Sequence, residues 1–268
     1  MSTLTEIFRE TGRALLMPYA VGGYPDPDSS LEILRNYLAN GADIVELGIP
    51  FSDPLADGPV IQAASQVALR RGVRPTEVLD LAGRAAEQGA RIVLLGYLNT
   101  ILAMGADTFF KRCRDRGVMG VVIPDLPVEE AGDLEDFARA RGVDVILLAA
   151  PTSTDARLAR IAEAASGFIY CVSTTGVTGA RASLRAGLPE FVARIRRHTD
   201  LPLAVGFGVS TVEQAGQVAT YADGVIIGSA LVEMIGTEAE LAASLDRVGS
   251  FLGEAGAAIR AAREKATT

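Results

Sequence analysis

The chain has 268 residues, 49% of them hydrophobic and 22% charged, which is enough for a substantial core in one α/β barrel or in two smaller domains. Its net charge of −8 argues against a nucleic-acid binder, which needs a basic footprint, but leaves room for a local anion pocket lined by amides. No apolar run is long enough to span a bilayer, no secretory signal is visible in the first ten residues, and the two cysteines, Cys113 and Cys171, form no spaced framework, so a reducing, cytoplasmic setting is expected.

Thr3 to Arg13 reads as a short amphipathic helix with Leu4, Ile7 and Phe8 on one side. Ala14 to Val21 is the first strand. Ser29 and Glu32 have capping-box spacing, and Leu31, Leu34 and Leu38 then recur at helical spacing until Gly41. Asp43 to Pro59 follows, an apolar strand (Ile44, Val45, Leu47, Ile49) interrupted by Glu46. It runs out into a loop bearing Pro50, Pro54, Pro59, Asp53 and Asp57.

Helices are expected from Ile61 to Arg71 and from Pro75 to Gln88, then a third strand from Arg91 to Leu95 ending in Gly96-Tyr97-Leu98-Asn99. Ala106 to Arg116 is helical, Met119 to Ile123 a fourth strand, Glu129 to Ala140 a helix and Val143 to Ala149 a fifth strand. Thr154 to Ala164 is helical, and Phe168 to Val172 is a sixth strand leading into a Gly/Thr-rich loop. Leu188 to His198 is helical, Leu203 to Val205 a seventh strand, and Ser210 with Glu213 another capping box. Ala222 to Ile227 is an eighth strand, followed by a short helix and a longer helical pattern from Glu238 to Glu264. Eight strands alternating with helices, without a linker, predict a single-domain (β/α)8 TIM barrel over residues 1–268 with an extra N-terminal helix. An open doubly wound sheet is the alternative. Against it, the first strand carries no Gly-x-Gly-x-x-Gly turn.

Barrel chemistry sits where strands run out into loops, so polar residues there are the candidates. Glu46 is the sharpest. Desolvation would raise its pKa toward neutrality, suiting a group that both takes and gives protons, although a carboxylate in this place could instead accept backbone hydrogen bonds. Asp57, on spacing alone, is equally a turn or helix-capping aspartate. Tyr97, Asn99, Asp125 and Tyr170 also fall at or beside strand ends.

Gly206-Phe207-Gly208 and Gly228-Ser229 close strands seven and eight, where backbone amides and a helix N-terminus can hold a phosphate. Thr174-Thr175-Gly176-Val177-Thr178-Gly179 has the glycine hinges of a lid. The chain has one histidine (His198), two lysines (Lys111, Lys265) and no tryptophan. Neither lysine falls at a strand end, so a Schiff-base mechanism is not expected. No His/Cys cluster has metal-ligand spacing; Asp53 and Asp57 are carboxylates that a Mg²⁺ could use, but nothing specifically asks for one, so no metal site is expected.

Glu46-Leu47-Gly48-Ile49-Pro50-Phe51-Ser52-Asp53-Pro54-Leu55-Ala56-Asp57-Gly58-Pro59 strongly resembles the signature of the tryptophan synthase α subunit. Pro124-Asp125-Leu126-Pro127-Val128-Glu129-Glu130, Gly176-Val177-Thr178-Gly179 and Val205-Gly206-Phe207-Gly208 match in the family's order, so the resemblance covers nearly the whole chain. It implies a barrel lyase that cleaves indole-3-glycerol phosphate to indole and glyceraldehyde 3-phosphate. Glu46 would be the proton-transfer group, and Asp57 would stabilise positive charge at the indole N–H. By the same matching Tyr19, Leu95, Tyr170 and Phe207 would surround the substrate. Gly179, Gly208, Gly228 and Ser229 would hold its phosphate.

Pro50, Asp53, Asn99 and Pro127 fall where the family meets its β subunit, a pyridoxal-phosphate (PLP) enzyme, in an α2β2 heterotetramer. The cofactor would belong to that partner, and none is expected in this chain. Two positions depart from the pattern: Tyr19 stands where phenylalanine is common, and Thr174 where known members carry an arginine in the lid. A stand-alone lyase releasing free indole, and a weakly active allosteric partner of a β enzyme, are the alternatives.

Overall fold

The computed structural model describes residues 3–172, 187–206, 208–237 and 240–266. Helix α1 (Thr3–Thr11) precedes strand β1 (Leu15–Val21); α2 (Pro27–Ala39) leads to β2 (Val45–Gly48), then to α3 (Pro59–Arg70) and α4 (Pro75–Ala86). β3 (Ile92–Leu95) is followed by α5 (Leu98–Met104) and α6 (Ala106–Asp115), and β4 (Val118–Val122) by a 3-10 turn (Val128–Glu130) and α7 (Gly132–Arg139). β5 (Asp144–Ile146) and β6 (Leu148–Ala149) precede α8 (Asp155–Ala164) and β7 (Ile169–Val172). The order continues with α9 (Leu188–Arg196), β8 (Leu203–Gly206), α10 (Val212–Val218), β9 (Gly224–Ile227), α11 (Ser229–Thr237) and α12 (Leu241–Ala266).

All neighbouring strands are parallel, in the order β5-β4-β3-β2-β1-β9-β8-β7-β6. The two outermost strands of that order, β5 and β6, are separated only by Leu147. They are the halves of the expected fifth strand: one pairs with β4, the other with β7. The barrel closes through this residue, whose carbonyl accepts from the Tyr170 amide at 3.0 Å. A strand that changes partner at the closing seam must kink, and nine strands appear where alternation predicts eight.

Period-two alternation divides the core. On β1, Leu15, Met17, Tyr19 and Val21 belong to the barrel interior, whereas Leu16 and Ala20 pack under the helices. The same rule turns Ile44, Val93, Leu95, Phe168, Tyr170, Ala204 and Ile226 inward. It places Glu46, between Val45 and Leu47 of the outer layer, inside the barrel.

Leu4, Ile7 and Phe8 of α1 join the interior cluster, so the N-terminal helix plugs the bottom of the barrel. Thr5 Oγ1 donates to the Gly167 carbonyl at 2.8 Å, and Phe8 packs tilted against Phe168 at 5.5 Å between centroids. Gly120 admits the plug: a Cβ there would stand 2.8 Å from Leu4 Cδ1. Phe8→Ala is expected to cost about 3–5 kcal/mol, read as a lower urea midpoint, because the closed barrel floor cannot collapse into the void.

Three local expectations shift. Helix α2 is capped by Asp26, not Ser29: its carboxylate accepts from the amides of Asp28 (3.1 Å) and Ser29 (2.9 Å), and Pro27 takes the first helical position. Helix α10 is capped by the reciprocal pair Thr211 and Gln214, one residue beyond the expected Ser210 and Glu213. Helix α5 forms where the sequence pattern predicts no element. Its first amide, of Leu98, is capped by Asp125 from the β4 loop at 2.8 Å, a partner 27 residues away that local sequence cannot announce.

Candidate active site

Glu46 sits on β2 opposite Tyr19 of β1 and Val93 of β3, and it is 2% exposed. Its Oε1 is buried with no hydrogen-bond partner. Burial, followed by the like charge of Asp57, pushes its carboxyl up to about 8. A backbone-bonded structural carboxylate would look different: it would be saturated with amides and ionised.

Asp57 reaches the same place from the β2–α3 loop and is 4% exposed. Local sequence fixes the loop. The Asp57 amide donates to the Pro54 carbonyl at 3.1 Å, Gln62 Nε2 donates to the Asp57 carbonyl at 2.9 Å, and Pro59 opens α3. Tyr97 clamps it from the β3 end. Its hydroxyl accepts from the Ala56 amide at 3.1 Å and donates to the Asp57 carboxylate, while its ring stacks on Phe51 at 5.0 Å. Burial raises Asp57 to about 6, the Tyr97 hydrogen bond opposing the rise. Asp57 is therefore a buried site carboxylate, not a helix cap. The cap position of α3 is Gly58.

Tyr19, Leu95 and Tyr170 line the cavity beside this pair, together with Ile61 and Ile226. Gly208, Gly228 and Ser229 line the same cavity. Gly208 takes a φ of 93°, a conformation glycine adopts without strain. Ser229 begins α11, so the helix N-terminus faces the cavity and offers its amides and positive dipole end to an anion. The arrangement joins a buried carboxylate pair, an apolar lining and a glycine-flanked helix N-terminus in one cavity. Phe207, Gly179 and the expected lid residues Thr174, Thr175, Gly176 and Thr178 lie outside the described residues.

Of the expected partner-facing residues, Asp53 and Asn99 are exposed and Pro127 is half-buried, all on rim loops or the short α5. Pro50 is buried at the end of β2. His198 follows α9 on the way into β8, at the opposite end of the barrel, and Lys111 lies exposed on α6. Cys113 and Cys171 are buried free thiols of the outer core layer. Among the described residues no group of three or more His, Cys, Asp and Glu side chains is placed to hold a metal.

The sequence places Tyr97 at a strand end without a local sign of its role, and nothing local marks Ile61 or Ile226 as cavity residues. Tyr97 acts on Asp57 across the barrel rim, a contact with no local sequence signature. A wider cavity of about 380 Å³ opens elsewhere, lined by Glu135, Asp144, Glu163 and Ser166. It lies at the N-terminal end of β5, remote from the Glu46–Asp57 pair and on the face where barrels build stability.

A family model for the tryptophan synthase alpha chain matches residues 6–259. A tryptophan synthase alpha chain from Roseiflexus sp. (strain RS-1) is 48% identical over 240 residues, covering 88% of this chain and 92% of its own length. That from Halorhodospira halophila is 45% identical over 274 aligned residues, covering 100% and 98%. Among solved structures, a chain of Mycobacterium tuberculosis tryptophan synthase superposes with a TM-score of 0.89 at 40% identity, over 97% of this chain and 98% of that one. The alpha chain from Legionella pneumophila gives 0.87 at 32% identity, over 97% and 98%. A nearly closed parallel barrel, a buried carboxylate pair at its rim and similarity along almost the whole length lead to one conclusion: the chain belongs to the tryptophan synthase alpha chain family.

Proposed function

We propose that Glu46 and Asp57 carry the lyase half-reaction of this family, the cleavage of indole-3-glycerol phosphate to indole and glyceraldehyde 3-phosphate. The observation that carries the assignment is the buried Glu46 carboxyl, unpartnered at Oε1 and raised to about 8, beside an Asp57 raised only to about 6. Near pH 7 the first is protonated and the second ionised, so one site holds an acid and an anion. Glu46 gives its proton to the indole ring carbon that bears the glycerol chain. The ionised Asp57 faces the indole N–H and stabilises the positive charge that this protonation creates. As the carbon–carbon bond breaks, the Glu46 carboxylate takes the proton of the glycerol hydroxyl that becomes the aldehyde. Glu46 ends protonated, and the cycle balances.

Leu95, Ile61 and Ile226 exclude water around the rings, with Phe207 assigned to the same wall by sequence matching. Gly208, Gly228 and Ser229, with Gly179 from the lid segment, hold the phosphate through amides and a hydroxyl. This cradle needs no lysine. Family membership implies a β partner. We assign to it an α2β2 assembly, with the pyridoxal phosphate in the β subunit, which receives the indole. The rim supports that reading: Leu55 is 87% and Leu102 55% exposed, beside Asp53, Asn99 and Pro127. Pro50, at the end of β2 behind this rim, is assigned to the same partner-facing side. Free buried thiols suit a reducing cytoplasm, and no helix among the described residues is long and apolar enough to cross a membrane.

The assay is cleavage of indole-3-glycerol phosphate by the purified chain, with and without an added β subunit. Indole and glyceraldehyde 3-phosphate are expected in equal amounts, with the β subunit accelerating release by about tenfold or more. An unchanged rate at saturating β subunit would favour the stand-alone lyase, and no cleavage under either condition would reject the reading.

A further inference from the structure

Tyr19 and Glu46 are Cα partners on adjacent parallel strands and point into the barrel together. The Tyr19 ring leans along the strand toward the rim, and its hydroxyl lies over β2 at Gly48, two residues beyond Glu46. A Cβ at position 48 would stand 2.1 Å from Tyr19 Oη. Glycine at 48 therefore keeps a recess that the hydroxyl end of the Tyr19 ring fills. The strand end that carries Tyr19 is held from behind, where the Tyr37 hydroxyl donates to the Tyr19 carbonyl at 3.0 Å.

Glu46 Oε1 is a buried acceptor without a partner. Among the described residues, few groups face Glu46. β1 supplies Tyr19, the β2–α3 loop Asp57, β7 Tyr170 and α11 Ser229; β3 and β9 supply only the apolar Val93, Leu95 and Ile226. Tyr97 stands behind Asp57. Burial, then the negative charges of Asp57 and Glu46, hold the Tyr19 hydroxyl well above its ordinary value, so it remains a neutral donor. A carboxylate ionised in such a setting needs a neutral donor, because a buried anion left unpaired is costly.

We propose that Tyr19 is a positioning residue for Glu46: its hydroxyl, seated over Gly48, donates a hydrogen bond to the Glu46 carboxylate while that group is ionised between its two proton transfers. The inference rests on the assignment of both transfers to Glu46. A donor to the anion favours ionisation, so removing it makes Glu46 hold its proton to higher pH.

The test is the pH dependence of kcat/KM for indole-3-glycerol phosphate in Tyr19→Phe beside the unaltered chain. The limb on which activity falls as Glu46 ionises is expected to move up by about one pH unit, a tenfold change in the ionisation constant. The plateau kcat is expected to fall about tenfold as the anion loses its donor. A merely structural tyrosine would lower the rate without extending activity to higher pH. Gly48→Ala, which evicts the hydroxyl but leaves Tyr19 in place, is expected to shift the limb the same way. If the unaltered chain shows the limb and both variants superimpose on it, the Tyr19 inference is wrong and Glu46 stands. If the unaltered chain shows no such limb, the assignment of Glu46 fails and this inference falls with it.

Discussion

Glu46→Gln is expected to lower indole release by about 10³-fold while leaving KM within a few-fold. In the proposed mechanism both proton transfers pass through this one side chain, and the other carboxylate among the described residues of the cavity, Asp57, faces the indole N–H. Tyr19 and Tyr170 are held by burial well above their ordinary values, so neither ionises near neutrality. His198 lies at the far end of the barrel. Gln keeps the shape of Glu and cannot exchange the proton. The barrel should not suffer. The Glu46 pKa is raised on folding, from an ordinary 4.5 to about 8, so the native state binds the extra proton across that window. Stability contributed by this position therefore falls as pH rises from about 4.5 to about 8 and stays low above it. Glu46→Gln removes that fall. Its urea midpoint should match the unaltered chain at pH 5 and exceed it at pH 8.5. An inactive variant with a raised midpoint at alkaline pH separates loss of chemistry from loss of fold.

Asp57→Asn is expected to cost about 10²-fold in kcat, with a smaller effect on KM, because its charge acts on a cation that exists only after ring protonation. The isosteric amide can still accept from Tyr97, so the loop clamp survives. The substitution carries a second signature. Asp57 is the charge that adds to burial in raising Glu46, so without it Glu46 ionises more easily. The falling limb of kcat/KM should move to lower pH in Asp57→Asn, opposite in sense to the shift expected for Tyr19→Phe. Steady-state kinetics between pH 5 and 9.5 would show both.

Much of this site is legible in the chain because one physical conflict marks it. A carboxylate within the apolar run Ile44 to Ile49 has to be either saturated or used, and period-two alternation alone turns it into the barrel. The glycine endings of β8 and β9 announce an anion cradle for similar reasons: they stand where amides must come close to a ligand. Asp57 is less legible. A Pro/Gly-bounded aspartate reads equally well as a cap, and the residue that clamps it, Tyr97, arrives from the end of the next strand. Helix α5 hides in the same way, since its cap, Asp125, arrives from the next loop. The break at Leu147 is not written in residues 143–149 at all. It follows from the barrel having to close, a property of the whole sheet. Local chemistry is encoded locally; contacts between successive loops of the rim are set by the fold.

A protonated Glu46 beside an ionised Asp57 at neutral pH should be visible in the pH dependence of kcat/KM. The profile should be a bell for the coupled pair, rising near pH 6 as Asp57 ionises and falling near pH 8 as Glu46 does. The substrate phosphate also titrates at about pH 6, so the alkaline limb is the diagnostic one. A tenfold fall per unit above pH 8, absent from the residual activity of Glu46→Gln, is the predicted result. Activity that stays level or climbs from pH 7 to 9.5 would contradict the account, because Glu46 would then begin the reaction as a base and not as an acid.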